Sequence, residues 1–486
     1  MKGTFLLASL MGLTQLSAAS DTFSRDRLEA FDQVFVTEER EILANAGLTS
    51  HVPATDPVPP PNPAPPPFIS PYLPFVMVNN STLPDSSVNI VITGDQPDDH
   101  TVFVFVQFDS SGIGTLVDMT TGMNSSTYNK TLDQFPLTSS GDRVMYLPYI
   151  DSSRVWISMN SALSMPVISG NRLQEPNFTS SSDPNYYTNF DKFEFAFLST
   201  GTPISINATA VDFFSIPLYI YVSTATSVNS NTGLYQPRSY CMAAAANVFA
   251  GVPTKSEWDK LFLESGSTTL RLLSTGKAMT ASPPIFNANY LDDAATYGYS
   301  LIEAIWTGPS SFYRAHPPAL TIPITGNPTY TGTVQVDNRI IFDDGNGHTV
   351  VFRAPSPPDY SPSGFTTSGQ ILSAEPLYTT ETVAGAGVQV SKLFEEALIA
   401  GLSPTTNTLS NTYLTDHQSS YYTINPNLSS TGQSTGPWYD VYSKALHSLG
   451  QIYAFGFDEP LWPSVAVTSN YEASSTYVGV TIGSIN

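Results

Sequence analysis

In the first half of the chain, apolar residues recur mostly at every second position. Runs such as VNIVITG (88–94), TVFVFVQFD (101–109), RVMYLPYI (143–150), RVWISMNSAL (154–163) and FEFAFLS (193–199) alternate or concentrate aliphatic and aromatic residues, with Gly, Pro, Ser and Asn clusters between them. This period predicts short β-strands, and many of them in series predict a sandwich or a barrel from about Phe75 to Ser223. ISINATAVDFFSIPLYIYV (204–222) is expected to be strand as well, with one anomaly: the charge of Asp212 stands among apolar neighbours.

From about Ser239 the period turns helical. SYCMAAAANVF (239–249), SEWDKLFLE (256–264), DDAATYGYSLIEAIW (292–306), VQVSKLFEEALIAGL (388–402) and WYDVYSKALHSLG (438–450) are the expected helices. Between them, GTVQVDNRIIFDDGNGHTVVFRAP (332–355) predicts a hairpin closed by DDGNG. The last 24 residues return to strand character. The expected fold is therefore mainly β with an α/β part. Its organisation is a β domain over 75–237, a mixed α/β domain over 238–462, and C-terminal strands over 463–486 that return to the β domain.

The N-terminus has a different character. Lys2, the apolar run Phe5–Leu13 and the small residues Ser17 and Ala19 form a secretory signal peptide over 1–19. A charged segment over 20–51 follows, either a pro-segment or a docked helix. A proline-rich stretch over 52–74 is expected to be a spacer of polyproline type.

Composition narrows the function. Only 12% of the 486 residues are charged, and 41 acids against 19 bases leave a net charge of −22. Phosphate binding needs clustered cations, so no nucleic-acid partner is expected. No stretch after the signal is long and apolar enough to span a bilayer, so no membrane partner is expected either. A chain rich in Ser, Thr, Asn, Pro, Gly and Tyr suits a secreted monomer, extracellular or in a cell wall, that handles neutral polar ligands. Seven Asn-x-Ser/Thr sites, beginning at Asn79, Asn80, Asn124, Asn129, Asn177, Asn207 and Asn427, agree with secretion. Cys241 is the single cysteine, so no intrachain disulfide can form, and an inert core role is expected for it.

Most catalytic motifs fail. The six histidines are scattered without ligand spacing, so neither a metal nor a cofactor is expected. DDGNGH around Asp343 fits a hairpin tip better than a calcium loop. GQSTG (432–436) matches a nucleophile elbow in letters only, because a Ser-rich loop flanks it where a strand and a helix are required. Carboxylates remain. If FEFAF and the following strand form a hairpin centred near Thr202, Glu194 opposes Ala210 and Asp212 is its diagonal neighbour on one face, about 7–8 Å away. Inverting glycosidases hold two carboxyl groups roughly 6.5–9.5 Å apart, one protonating the leaving oxygen and one activating water. The plainer alternative is two strand carboxylates facing solvent. An error of half a residue in the turn centre would separate the two faces.

DKFEFAF followed by INATAVDFFSIPL resembles the paired strands of glycoside hydrolase family 64, the thaumatin-like β-1,3-glucanases. Glu194 and Phe195 fit the first strand pattern, with Ala196 in place of the common Thr. Asn207, Thr209, Val211, Asp212 and Pro217 fit the second. RVWISMNSAL, YLDDAATYGYSLIEAIW and WYDVYSKALHSLGQIYAFGFDEP resemble further family blocks in the same order. The resemblance implies a thaumatin-like β-barrel or sandwich joined to a mixed α/β domain across a wide groove. It also implies endo-hydrolysis of β-1,3-glucan with inversion, Glu194 acting as general acid and Asp212 as general base. The strand rings Phe193, Phe195 and Phe197 could supply a partly apolar setting for that acid. Asn207, Thr209, Tyr439 and Tyr442 are candidate substrate-binding residues, with Trp438 a further aromatic candidate. His447 and Asp458 also match family positions, and a structural role is expected for them rather than a catalytic one. The rival readings are a non-catalytic glucan-binding or cell-wall protein on the same scaffold, and a structural surface glycoprotein.

Overall fold

The computed structural model describes residues 61–177, 182–199, 202–211, 213–224, 230–234, 241, 262–264, 279–281, 317–322, 326, 328–354, 377–400, 410, 441–455, 458 and 466–484. In chain order its first strands are β1 (Leu73–Asn79), β2 (Val88–Gln96), β3 (Asp99–Phe108), β4 (Gly114–Asp118), β5 (Lys130–Thr131), β6 (Arg143–Leu147) and β7 (Ile150–Met159). Next come β8 (Val167–Ile168), β9 (Arg172–Leu173), β10 (Asn189–Phe197), β11 (Pro203–Asn207), β12 (Leu218–Ser223) and β13 (Ser230–Gly233). Then follow β14 (Phe262–Glu264), β15 (Met279–Ala281), β16 (Ala319–Thr321), β17 (Thr329–Val334), β18 (Ile340–Asp343), β19 (Thr349–Phe352) and β20 (Tyr378–Glu381). Helices α1 (Ala386–Ala400) and α2 (Val441–Leu449) precede the last strands, β21 (Ala466–Asn470) and β22 (Tyr477–Ile482). Among the described residues, no helix is long and apolar enough to cross a membrane.

Two sheets form a sandwich. The first has the order β13-β12-β22-β1-β6; the second runs β21-β11-β10-β7-β2-β3-β4, with β5 also paired to β2. Alternation makes the core. Phe193, Phe195 and Phe197 of β10, Val155 and Ile157 of β7, and Ile90 and Ile92 of β2 are buried with Leu73, Phe75 and Met77 of β1. The Phe75 ring lies 6.1 Å from that of Phe193 and 5.1 Å from that of Phe195. Burying each such side chain is worth about 1.5–3 kcal/mol. The last strand, β22, lies parallel to β1 and antiparallel to β12. Being central, it is buried on both faces, as its run YVGVTI suggests.

Three expectations are corrected. The 204–222 stretch is not one strand. It supplies β11 to one sheet and β12 to the other, and residues 208–211 and 213–217 lie between the two strands. Ala208, Ala210, Phe213, Phe214 and Ile216 are buried without strand alternation because the crossover runs through the interior. The proline-rich stretch is not a free spacer over its described part. The hydroxyls of Tyr477, Tyr146 and Tyr471 donate to the carbonyls of Pro63 (2.8 Å), Pro67 (3.0 Å) and Pro71 (3.2 Å). Phe68 packs on Val76, Tyr219, Tyr221 and Tyr477, and Gly479 leaves room for the strap, since a Cβ there would stand 2.7 Å from Pro63 Cγ. Finally, Phe262–Glu264, expected to end a helix, is a strand paired with Met279–Ala281.

The helical expectations over 388–402 and 438–450 correspond to α1 and α2. The DDGNG turn joins β18 to β19, its loop N–H groups donating to the Asp343 and Asp344 carboxylates. A further sheet, β16-β17-β18-β19-β20, packs against α1 through Phe342, Phe352 and Phe394. Cys241 is wholly buried, which pushes its thiol up to about 12 and leaves it inert. The expected helix over 292–306 lies outside the described residues.

Candidate active site

β10 carries the site. Its even positions, Phe190, Lys192, Glu194 and Ala196, face away from the Phe193–Phe195–Phe197 core, as the period of two requires. Glu194 is directly opposite Asn207 of β11 on one side and Arg154 of β7 on the other. Thr93 of β2 is the next residue across from Arg154. Directly opposed residues share a face, so Asn207, Glu194, Arg154 and Thr93 form one polar row on the outer face.

The row is held by charge. Arg154 Nε donates to Glu194 Oε1 at 3.1 Å, and Arg154 Nη1 makes a close contact with Glu175 Oε1. Lys192 Nζ approaches Glu175 Oε2 at 3.9 Å. Arg154 thus shares its charge between two carboxylates and orients Glu194 through one oxygen. The Glu194 side chain remains 25% exposed, open to a ligand. Lys192, by contrast, is only 3% exposed, and its ammonium lies over the rings of Trp156 (5.3 Å) and Phe213 (5.6 Å). Trp156, on the same face as Arg154, donates from Nε1 to Thr93 Oγ1 at 3.1 Å. The apolar setting expected for Glu194 from Phe193, Phe195 and Phe197 is not there, because those rings point into the core.

The expected hairpin register is also overturned. The turn centre lies one and a half residues earlier, so Glu194 opposes Asn207 and not Ala210. β11 pairs with β10 only over Glu194–Ala196 and then leaves the strand. Residues 208–210 bond instead to the segment after α2: Tyr453 N–H donates to Ala208 O at 2.9 Å and Ala210 N–H to Tyr453 O at 2.7 Å. The diagonal spacing argued for Asp212 therefore does not hold. Asp212 itself lies outside the described residues, as do Tyr439, Trp438 and the Tyr442 side chain.

The segments flanking Asp212 are both held. After it, the Phe213 ring packs edge-on against Phe190 at 5.2 Å. Asp191, wholly buried, accepts N–H bonds from Ser215 and Ile216 on Oδ2 (2.7 Å each) and from Lys192 on Oδ1 (2.8 Å). Burial pushes the Asp191 carboxyl up to about 7 against the pull of these bonds and the Lys192 charge. Before it, Tyr453 is steadied from Asp458, whose Oδ2 accepts from Ala454 N–H and pairs with His447 Nε2, both at 2.8 Å. This buried pair ties α2 to the segment that follows it.

Of the residues singled out from sequence, Glu194 and Asn207 are brought together. Asn207 Oδ1 is buried without a hydrogen-bond partner. Thr209 is buried and bridged to Tyr453, outside the row. Sequence reasoning missed Arg154 as a partner of Glu194, together with Lys192, Glu175 and Asp191. The signal for two of them was present: FDKFEFAF places an Asp and a Lys inside an otherwise aromatic strand. Among the described residues, no group of His, Cys, Asp and Glu could hold a metal ion.

A family profile for glycoside hydrolase family 64, described as β-1,3-glucanase, matches residues 71–472. No curated protein sequence matches the chain. Several solved structures share its fold, among them three glucanases. One is a β-1,3-glucanase domain from Clostridium beijerinckii, with TM-score 0.62, 18% identity, 86% of this chain and 100% of that one covered. A laminaripentaose-producing β-1,3-glucanase in complex with laminaritetraose follows, with TM-score 0.61, 15% identity, and 86% and 100% coverage. The third, a laminaripentaose-producing enzyme from Paenibacillus barengoltzii complexed with laminarihexaose, has TM-score 0.51, 15% identity, and 86% and 76% coverage. The profile spans most of the chain and takes in the polar row of β7, β10 and β11, so the chain belongs to glycoside hydrolase family 64.

Proposed function

We propose that the chain is a secreted, monomeric endo-β-1,3-glucanase that cleaves with inversion and releases short laminari-oligosaccharides. Glu194 protonates the glycosidic oxygen as the bond from it to the anomeric carbon breaks. Asp212 takes a proton from the water that attacks that carbon from the other side. Arg154 and Asn207 flank Glu194 and position it or contact the sugar, and Tyr439 and Tyr442 offer ring faces to the glucan.

One observation carries the reading. The part-exposed Glu194 and the Phe213 ring, next in sequence to Asp212, share the outer face of β10, with Lys192 between them. That arrangement supports bringing the second acid to the same face by a loop, although the hairpin diagonal is lost. Family membership supports the substrate class.

The test is digestion of laminarin or curdlan with the secreted protein, following reducing ends and, by NMR, the anomer formed first. The expected result is short oligosaccharides with the α-anomer leading. Binding without reducing ends would favour the glucan-binding reading, and a leading β-anomer would overturn inversion.

A further inference from the structure

We propose that Asp191 is a positioning residue that fixes the loop carrying Asp212 against the strand carrying Glu194. This rests on the catalytic reading above and adds a residue to it. Val211 and Phe213, the neighbours of Asp212 in sequence, lie outside β11 and β12, and the β10–β11 ladder ends at Asn207. What stands in for the ladder is the first half of β10. Phe190 packs on Phe213, the Asp191 carboxylate takes the N–H groups of both Ser215 and Ile216, and Lys192 places its ammonium over Phe213.

Three consecutive residues therefore grip the chain one to four positions after Asp212, and Glu194 follows two positions later on the same strand. One short, hydrogen-bonded strand thus carries the proton donor and the anchor for the water-activating group. The anchor is also specific in its chemistry. Both carboxylate oxygens accept, Oδ2 from Ser215 and Ile216 and Oδ1 from Lys192. An amide would turn an NH2 donor toward one of these N–H groups at a buried position. Catalysis is sensitive to this kind of placement, since a shift of about 1 Å in a reacting group costs about 100-fold in rate.

The experiment is kinetic. Asp191→Asn, Asp212→Asn and the double variant are compared on laminarin and on a laminari-oligosaccharide bearing a 2,4-dinitrophenyl leaving group, with thermal melting to count folded protein. The good leaving group makes the Glu194 proton dispensable but still needs activated water. The expected result is that Asp191→Asn lowers kcat about 30-fold on both substrates with KM nearly unchanged, and adds nothing in the Asp212→Asn background. Phe213→Leu keeps every Asp191 bond and should show the same signature more weakly, which serves if Asp191→Asn does not fold.

An equal loss from Asp191→Asn in both backgrounds, or a loss confined to laminarin, would overturn the proposal while leaving Asp212 as the base. Full turnover by Asp212→Asn would overturn the base assignment itself, and the anchor's role with it.

Discussion

The two faces of β10 make the clearest contrast in the molecule. Facing inward, Phe193, Phe195 and Phe197 are almost fully buried against the opposite sheet. Facing outward, Lys192 and Glu194 meet Arg154, Glu175 and Asn207, with water in reach of Glu194. The backbone is the same, and only parity differs. The inner face contributes stability through area removed from water, which tolerates no polarity. The outer face contributes chemistry through opposed charges, which need partners at fixed distances.

The contrast can be broken from the inner side first. Phe193→Ala should cost about 3–5 kcal/mol of unfolding free energy through lost transfer and a cavity, measured by urea denaturation, while turnover per folded molecule stays unchanged. On the outer side, Glu194→Gln should do the reverse. It should lower kcat on laminarin about 100- to 1,000-fold with the denaturation midpoint unmoved. Substantial unfolding in that variant would show that the charge row is structural.

Arg154→Met comes next. It leaves Glu175 and Glu194 without their shared cation, and kcat should fall about tenfold with a smaller change in KM. The smallest effect belongs further along the same strands. Asp95 of β2 directly opposes Asp151 of β7, a like-charge pair where Arg154 and Glu194 are an unlike one. Burial and Asp151 raise the Asp95 carboxyl to about 6, against weaker opposing effects of His100, Ser152 and Arg154. Folded Asp95 therefore binds its proton more tightly than the unfolded chain does. Its contribution is present at about pH 4 and is lost as pH rises through about 6. Asp95→Asn should melt a few degrees above wild type near pH 8 and level with it near pH 4. A gain that is the same at both pH values would show that Asp95 titrates normally.

Much of this was legible beforehand, for local reasons. β2, β3, β6, β7 and β10 follow from period-two patterns that hydrogen bonding between neighbours converts directly into faces. The helices at 386–400 and 441–449 follow from a helical period in the same way. INATAVDFFSIP was misread because a crossover buried between two sheets is as apolar as a strand, and composition cannot tell the two apart. The proline strap reads as a spacer because the tyrosine hydroxyls that bond the Pro63, Pro67 and Pro71 carbonyls lie far along the chain.

Alone, the amino-acid order determined which residues of each strand share a face, with Lys192 and Glu194 on one side of β10 and Phe193, Phe195 and Phe197 on the other. It could do so because strand parity is a property of the local backbone. Only the tertiary structure decided the hairpin register, the Arg154–Glu194 contact and the grip of Asp191 on Ser215 and Ile216. Those depend on where a turn closes and which distant segments meet, and contacts across 24 to 40 positions leave no period for the eye to find.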